Sequence, residues 1–168
     1  MCESYNFQYK TNYRCLMPTN TFGPNDKYSN LNSHFVPSLI RKIYEIEKKN
    51  KNEILIWGDG TPKREIIYVD DIADACIYFM NKKTSHSLIN IGTGKEDTIK
   101  GITKLFLKTL LPNKKIKIKF DKKKPNGIKR KVLDVSLAKK YGWTAKNQIK
   151  KAIKETYINF KNIMVKSK

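Results

Sequence analysis

The sequence predicts an α/β protein, and three observations carry that reading. An apolar run over Arg14 to Met17 stops at Pro18-Thr19-Asn20 and then Phe22-Gly23-Pro24. Open α/β sheets end a buried strand in this way and present the following loop to a ligand, although Pro-Thr-Asn alone also reads as a plain turn. A β-favouring run over Ile66 to Val69 passes directly into a helical pattern with Asp70 and Asp71 in its first turn. A third run, Leu88 to Ile91, closes on Gly92-Thr93-Gly94 before another helical pattern begins.

The remaining elements follow from periodicity. Cys2 to Asn12, with Tyr5, Phe7 and Tyr9, fits helix or strand equally. After the polar loop Asn25 to Asn32, Ser33 is expected to cap a helix whose apolar positions Val36, Leu39, Ile40, Ile43 and Ile46 repeat every 3.6 residues, with Pro37 tolerated near its start. Arg41 and Lys42 ride on that helix, close to positions that can face a ligand, and Lys48 to Asn52 ends it. Ile54 to Trp57 and Ile66 to Val69 read as a strand pair around a turn of Gly58, Asp59, Gly60 and Pro62. Asp70 or Asp71 is expected to cap the helix through Ile72, Ala73, Cys76, Ile77 and Met80.

Gly92-Thr93-Gly94 lacks the spacing of a dinucleotide fingerprint and reads as a turn. Thr98 should cap a helix through Ile99, Ile102, Leu105, Phe106 and Leu110, and Ile116, Ile118 and Phe120 alternate with lysines as in a half-buried strand. Lys122 to Lys131 is a basic loop containing Pro125-Asn126-Gly127 and ending in Arg130-Lys131. Such a loop either closes over a diphosphate or simply meets water. Ser136 is expected to cap a short helix to Tyr141, broken by Gly142-Trp143, and Ile149, Ala152, Ile153, Tyr157 and Phe160 mark a last amphipathic helix.

Composition bounds the function classes. At 168 residues the chain is long enough for one domain with a full core, and 39% hydrophobic residues spaced throughout exclude a disordered chain. No apolar stretch is long enough to span a bilayer and Met1 leads into polar Glu3, Ser4 and Asn6, so a soluble cytoplasmic protein is expected. Cys2, Cys15 and Cys76 are odd in number and have no paired metal-ligand spacing, which argues against a disulfide framework or a metal site. The net charge of +20, from 35 Lys+Arg against 15 Asp+Glu, raises nucleic-acid binding as a hypothesis. The excess is mostly scattered lysine without interleaved stacking aromatics, so a solvated basic surface with no specific nucleic-acid partner is the reading it supports.

The stretch Trp57 to Asp70 carries the most chemistry. It places Lys63-Arg64-Glu65 at the mouth of a strand. The planar fork of Arg64 suits phosphate oxygens, and the indole of Trp57 suits a base or sugar face. On spacing alone, an ordinary β-hairpin with a core tryptophan and an exposed arginine is the favoured account.

The order of the motifs resembles the carboxyl-terminal half of the GDP-L-fucose synthases. The matching runs include Cys2-Glu3-Ser4-Tyr5-Asn6, Met17-Pro18-Thr19-Asn20, Phe22-Gly23-Pro24, Asn32-Ser33-His34, Trp57-Gly58-Asp59-Gly60-Thr61-Pro62, Arg64-Glu65, Val69-Asp70-Asp71, Asn90-Ile91-Gly92-Thr93-Gly94 and Lys124-Pro125-Asn126-Gly127. They cover Cys2 to about Phe160, and Asn-Ser-His followed by Trp-Gly-x-Gly-Thr-Pro-x-Arg-Glu is the most specific combination. That family belongs to the extended short-chain dehydrogenase/reductases. It converts GDP-4-keto-6-deoxymannose to GDP-L-fucose by 3,5-epimerisation and NADPH-dependent 4-reduction.

The resemblance implies the carboxyl-terminal part of a Rossmann-type doubly wound sheet with a smaller α/β substrate-binding domain, interleaved over residues 1–168 of an incomplete domain. It implies that Pro18, Thr19, Asn20 and Thr21 help line NADPH together with His34, and that His34 is the acid/base of epimerisation. An imidazole with an unperturbed pKa of about 6.5 is suited to that work. Taken alone, a histidine at a helix start reads as a cap or surface residue. The resemblance further implies GDP-sugar contacts at Lys42, Trp57, Arg64 and Asn126.

Two substitutions depart from the pattern. Lys42 stands where arginine is common, trading a fork for a point charge, and Asn126 stands where aspartate is common, keeping hydrogen-bonding capacity without the charge. No glycine-rich phosphate-binding turn is present, and the family's Tyr-x-x-x-Lys pair and epimerisation cysteine would lie before Met1. A partner amino-terminal half, encoded separately, and a homodimer in the complete enzyme are therefore expected. The alternatives are another sugar-nucleotide epimerase/reductase or a non-catalytic sugar-nucleotide-binding remnant.

Overall fold

A computed structural model describes residues 1–28 and 33–166, with the side chain of Lys166 left aside. The ambiguous amino-terminal stretch is a helix, α1 (Cys2–Tyr9), ended by Lys10 in the left-handed region. β1 (Cys15–Pro18) and β2 (Asn20–Phe22) follow with only Thr19 between them. α2 (Phe35–Lys48) buries Val36, Pro37, Leu39, Ile40, Ile43 and Ile46, the face its 3.6 period marks out. Its N-cap is His34, not Ser33, and no side chain caps it.

β3 (Glu53–Trp57), β4 (Lys63–Arg64) and β5 (Ile66–Tyr68) come next. α3 (Val69–Asn81) begins one residue before the acidic pair. Its N-cap is Tyr68 and no side chain caps it. Asp71 is buried instead and accepts hydrogen bonds from the backbone N–H groups of Lys146 and Asn147 at 2.8 and 3.1 Å. β6 (Leu88–Ile91), β7 (Asp97–Thr98) and α4 (Ile99–Leu110) continue the chain. The Thr98 hydroxyl does cap α4, accepting from Gly101 N at 2.9 Å. β8 (Lys117–Asp121), the short β9 (Arg130–Lys131), α5 (Ser136–Lys140) and α6 (Ile149–Lys166) complete the order. The N-cap position of α5 is Val135 rather than Ser136 and carries no side-chain cap, while the Asp134 carboxylate accepts from Ser136 N.

Pairing is mainly parallel, as an α/β fold requires. β1 pairs with β6, β2 with β5, and β3 with β8, all parallel, while β4 sits between antiparallel β7 and parallel β9. The expected hairpin of Ile54 to Val69 therefore does not form. Its two arms pair with β8 and β2, because the turn between them carries β4 off into the three-stranded sheet. At the end of the basic loop Lys122 to Lys131, Arg130 and Lys131 pair with Lys63 and Arg64.

Two apolar cores result. The larger packs α2, α4 and α6 around Ile54, Ile56 and Phe22, with Phe106 and Phe160 fully buried. The smaller packs α3 and α5 against Ile89 and Ile91 of β6 and contains Trp143, whose indole N–H donates to Asp74 at 2.8 Å. The site residues lie where strands from these two cores meet.

Candidate functional site

The junction is organised by Glu65, which the sequence places in a row of charges at a strand mouth. The structure buries it completely, at 0% exposure. A buried carboxylate must find donors, and it does. Gly94 N–H and the Thr93 hydroxyl donate to Oε1 at 2.7 and 3.2 Å, and Leu133 N–H donates to Oε2 at 2.9 Å. Its backbone is held as well, since Asn20 Nδ2 donates to Glu65 O at 2.7 Å and Glu65 N–H donates to Lys131 O at 3.2 Å. One residue thus ties the strand of Asn20, the Gly92-Thr93-Gly94 turn and β9 together. The signal for it in the sequence is an acid set between β-favouring residues, which the neighbouring Lys63 and Arg64 mask.

Around this tie lies a cavity of about 510 Å³ lined by Thr19, Asn20, Thr21, His34, Arg64 and Lys131, with Phe35, Val36, Pro37 and Ile66 as its apolar part. Among the described residues three basic side chains and no carboxylate line it, which suits an anionic ligand. The residues come from five places in the chain: the β1–β2 junction, the start of α2, β4, β5 and β9. His34 is exposed at the helix start, where the chain is extended with φ −60° and ψ 168°. Asn32 of the Asn-Ser-His motif lies outside the described residues.

Arg64 is positioned by its own backbone neighbourhood. Its Nη1 donates to the carbonyls of Lys63 and Ile128 at 2.8 and 2.7 Å. Its Nε and Nη2 make no hydrogen bond among the described residues, so half of the fork is directed at nothing. The buried Thr19 hydroxyl, on a residue 6% exposed that lines the same cavity, likewise has no hydrogen-bond partner among the described residues. A polar atom orphaned against a cavity wall fits a site that receives a hydrogen-bonding group such as a dinucleotide.

The other site residues lie apart. Lys42 and Trp57 line a second hollow, of about 390 Å³, beside β3. Lys42 Nζ donates to Leu55 O at 2.8 Å, and burial pushes its pKa below the ordinary lysine value while Glu45 partly offsets the shift. Trp57 is 61% exposed, so it is not the core tryptophan of the hairpin reading, and the Lys124 ammonium sits 5.2 Å from its ring centroid. Asn126 binds no described side chain of the first cavity. Its Oδ1 accepts from Asp59 N–H at 2.8 Å.

The segment Asn126-Gly127-Ile128 nevertheless runs between the two hollows, fixing Asp59 at one end and Arg64 at the other. Gly58 is required there, at φ +79° with the place of a Cβ only 2.3 Å from Asn126 Oδ1. Pro18 ends β1 in register with Ile91 and does not line the first cavity. Arg41 turns away from both hollows, donating to Tyr28 O at 2.8 Å and pairing with Glu45 at 3.6 Å.

Comparison with known proteins places this geometry. The chain is 38% identical over 157 residues to the "Putative GDP-L-fucose synthase 2" of Arabidopsis thaliana, covering 94% of this chain and 47% of that protein. It is 38% identical over 166 residues to the GDP-L-fucose synthase of Escherichia coli K12, covering 94% of this chain and 51% of that one. Among solved structures, a GDP-D-glycero-L-gluco-heptose synthase from Campylobacter jejuni, determined in the presence of NADPH, superposes with a TM-score of 0.76 at 27% identity over 96% of this chain and 56% of its own. The chain spans about half the length of the curated relatives it matches. Among the described residues no helix is long and apolar enough to cross a membrane. Residues 1–92 match the model of the NAD dependent epimerase/dehydratase family, and the chain belongs to that family.

Proposed function

We propose that this chain supplies the sugar-nucleotide contacts and one proton-handling group of an enzyme that converts GDP-4-keto-6-deoxymannose to GDP-L-fucose in the cytoplasm. Residues 1–168 are read as the carboxyl-terminal portion of a single epimerase/dehydratase domain, in which the end of a Rossmann part interleaves with the substrate-binding part. The observation that carries the reading is the single cavity in which His34, Thr19, Thr21 and Arg64 converge with no carboxylate among its lining.

Epimerisation beside a ketone removes a proton from carbon to give an enolate and returns one to the opposite face. Two proton-handling groups are therefore needed. The His34 imidazole is one of them. Arg64 places the unsatisfied half of its guanidinium on the diphosphate, Lys131 adds charge on the same wall, and Trp57 offers its face to the nucleoside. Lys42 binds as a point charge, and Asn126 contributes by holding Asp59 and the loop in place. NADPH, when bound, supplies the hydride for reduction at C4. Thr19, Asn20 and Thr21 would hold and orient its nicotinamide end, the Thr19 hydroxyl then gaining the partner it lacks among the described residues. The phosphate-binding turn and the Tyr-x-x-x-Lys pair come from an amino-terminal half, and the assembled enzyme is a homodimer.

Calorimetric titration of the chain with GDP, UDP and dTDP tests the nucleotide, and GDP is expected to bind most tightly. Equal or tighter binding of UDP would assign the chain to a different sugar-nucleotide epimerase/reductase. Co-expression with an amino-terminal half from a family member is expected to restore NADPH oxidation on the keto-sugar. His34→Asn should then lower turnover by roughly a hundredfold or more with GDP affinity unchanged. Failure of any amino-terminal half to restore turnover, with GDP still bound, would leave a binding module only.

A further inference from the structure

We propose that the groove between α4 and β8 is a docking site for an acidic amphipathic segment of another protein. The groove, about 770 Å³, lies outside the sugar-nucleotide site and shares no residue with it. Six lysines line it, Lys100, Lys104, Lys108, Lys114, Lys115 and Lys117, and no acidic residue does. Lys100, Lys104 and Lys108 recur every fourth residue of α4, a spacing of about 6 Å along the helix axis that makes one continuous rail. Lys114, Lys115 and Lys117 form the facing rail on the way into β8.

No groove lysine forms an ion pair among the described residues, although Glu53, paired with Lys119, also acts electrostatically on Lys117. Every ion pair among the described residues engages some other cation, Lys63, Lys119, Lys146, Lys151, Lys161, Arg41 or Arg130. Of the six groove lysines, Lys114 donates to the neutral Asn50 Oδ1 at 2.8 Å. Six like charges along one shallow groove repel each other, and a polyanion bound there relieves that repulsion.

The floor selects among polyanions. Pro112 is exposed, Ile116 and Ile118 are half-buried, and Leu107 and Leu111 lie beneath them. A segment with glutamates or aspartates along its edges and aliphatic side chains between them satisfies both rails and floor. Nucleic acid matches less well. No aromatic ring lines the groove to stack a base, and no arginine is present to grip phosphate bidentately.

Fluorescence anisotropy of the full chain with a labelled synthetic peptide, glutamates on one helical face and leucines on the adjacent one, tests the assignment. The expected result is salt-sensitive binding that K100E/K104E/K108E weakens on the order of tenfold. K114E/K115E should weaken it in the same direction, so the reading does not hang on one variant's folding. A control with the same change in net charge, K83E/K150E/K154E, alters exposed lysines elsewhere and should leave the affinity within about twofold. Equal losses in the groove variants and the control would overturn the proposal in favour of non-specific charge. Binding of a random-sequence DNA duplex, polyphosphate or phosphatidylserine vesicles as tightly as the peptide, with the same dependence on the groove lysines, would overturn it in favour of those ligands.

Discussion

Arg64-Glu65 and Trp57-Gly58-Asp59 lie on either side of one short turn, yet the protein treats them in opposite ways. Glu65 is sealed from water and met by three donors, and its backbone is pinned on both sides. Trp57 stands 61% exposed with only an ammonium over its ring, and Asp59 is held by hydrogen bonds in a solvated turn. The first region fixes the strand that carries Arg64 through the Glu65 hydrogen-bond network, in which every group is costly to leave unpaired. The second offers a flat surface and relies on turn chemistry, so its residues carry little of the stability. A rigid post and an open wall are joined by Asn126-Gly127-Ile128, and the function proposed above assigns the firm end of a long anionic ligand to the first and the other end to the second.

Removing the post is the most damaging way to break the contrast. Glu65→Ala leaves Gly94 N–H and Leu133 N–H without their acceptor in a part-buried setting and should cost on the order of 2 kcal/mol in denaturant unfolding. Glu65→Gln keeps the shape but turns amide hydrogens toward one of those donors, and its loss should be smaller and still measurable. The link between the regions is next. Gly58→Ala forces a Cβ against Asn126 Oδ1 at a positive φ and should cost about 1–2 kcal/mol in the same measurement.

The wall is expected to behave differently. Trp57→Ala should change stability by no more than about 0.5 kcal/mol, since the side chain is largely in water. The same variant is expected to lose most of its GDP affinity by calorimetry. A large stability loss without a binding change would reverse the roles assigned to the two regions.

The smallest effect is the acid response of the turn. Hydrogen bonds from the Thr61 hydroxyl and N–H, joined by Asn126, hold the Asp59 carboxyl at a pKa of about 2, below its ordinary 3.8. A carboxylate with a folded pKa below its unfolded one contributes stability that is complete above the unfolded value and is lost as pH falls through the folded one. Wild-type protein should therefore shed this increment between about pH 4 and pH 2, and Asp59→Asn should lack that segment of the pH–stability curve.

The sequence alone determined most helices and named the candidate site residues. Periods of 3.6 marked α2, α4 and α6, and Thr98 announced its own cap, because these features depend on residues within a few positions of one another. The motifs Pro18-Thr19-Asn20-Thr21, His34 and Arg64 also told which chemistry to look for, and the structure sets Thr19 to Thr21, His34 and Arg64 around one cavity.

Strand partners and the fate of buried charges were decided only by the tertiary structure. β3 chose β8 over β5, Asp71 received the backbone of Lys146 and Asn147 in place of capping α3, and Glu65 turned inward. Each depends on groups tens of residues away, and the same local residues fit a hairpin, a cap or a solvated charge. Which of these forms is settled by where distant donors and apolar faces come to rest. Local pattern records a residue's own preferences and carries no information about which far segment will satisfy them.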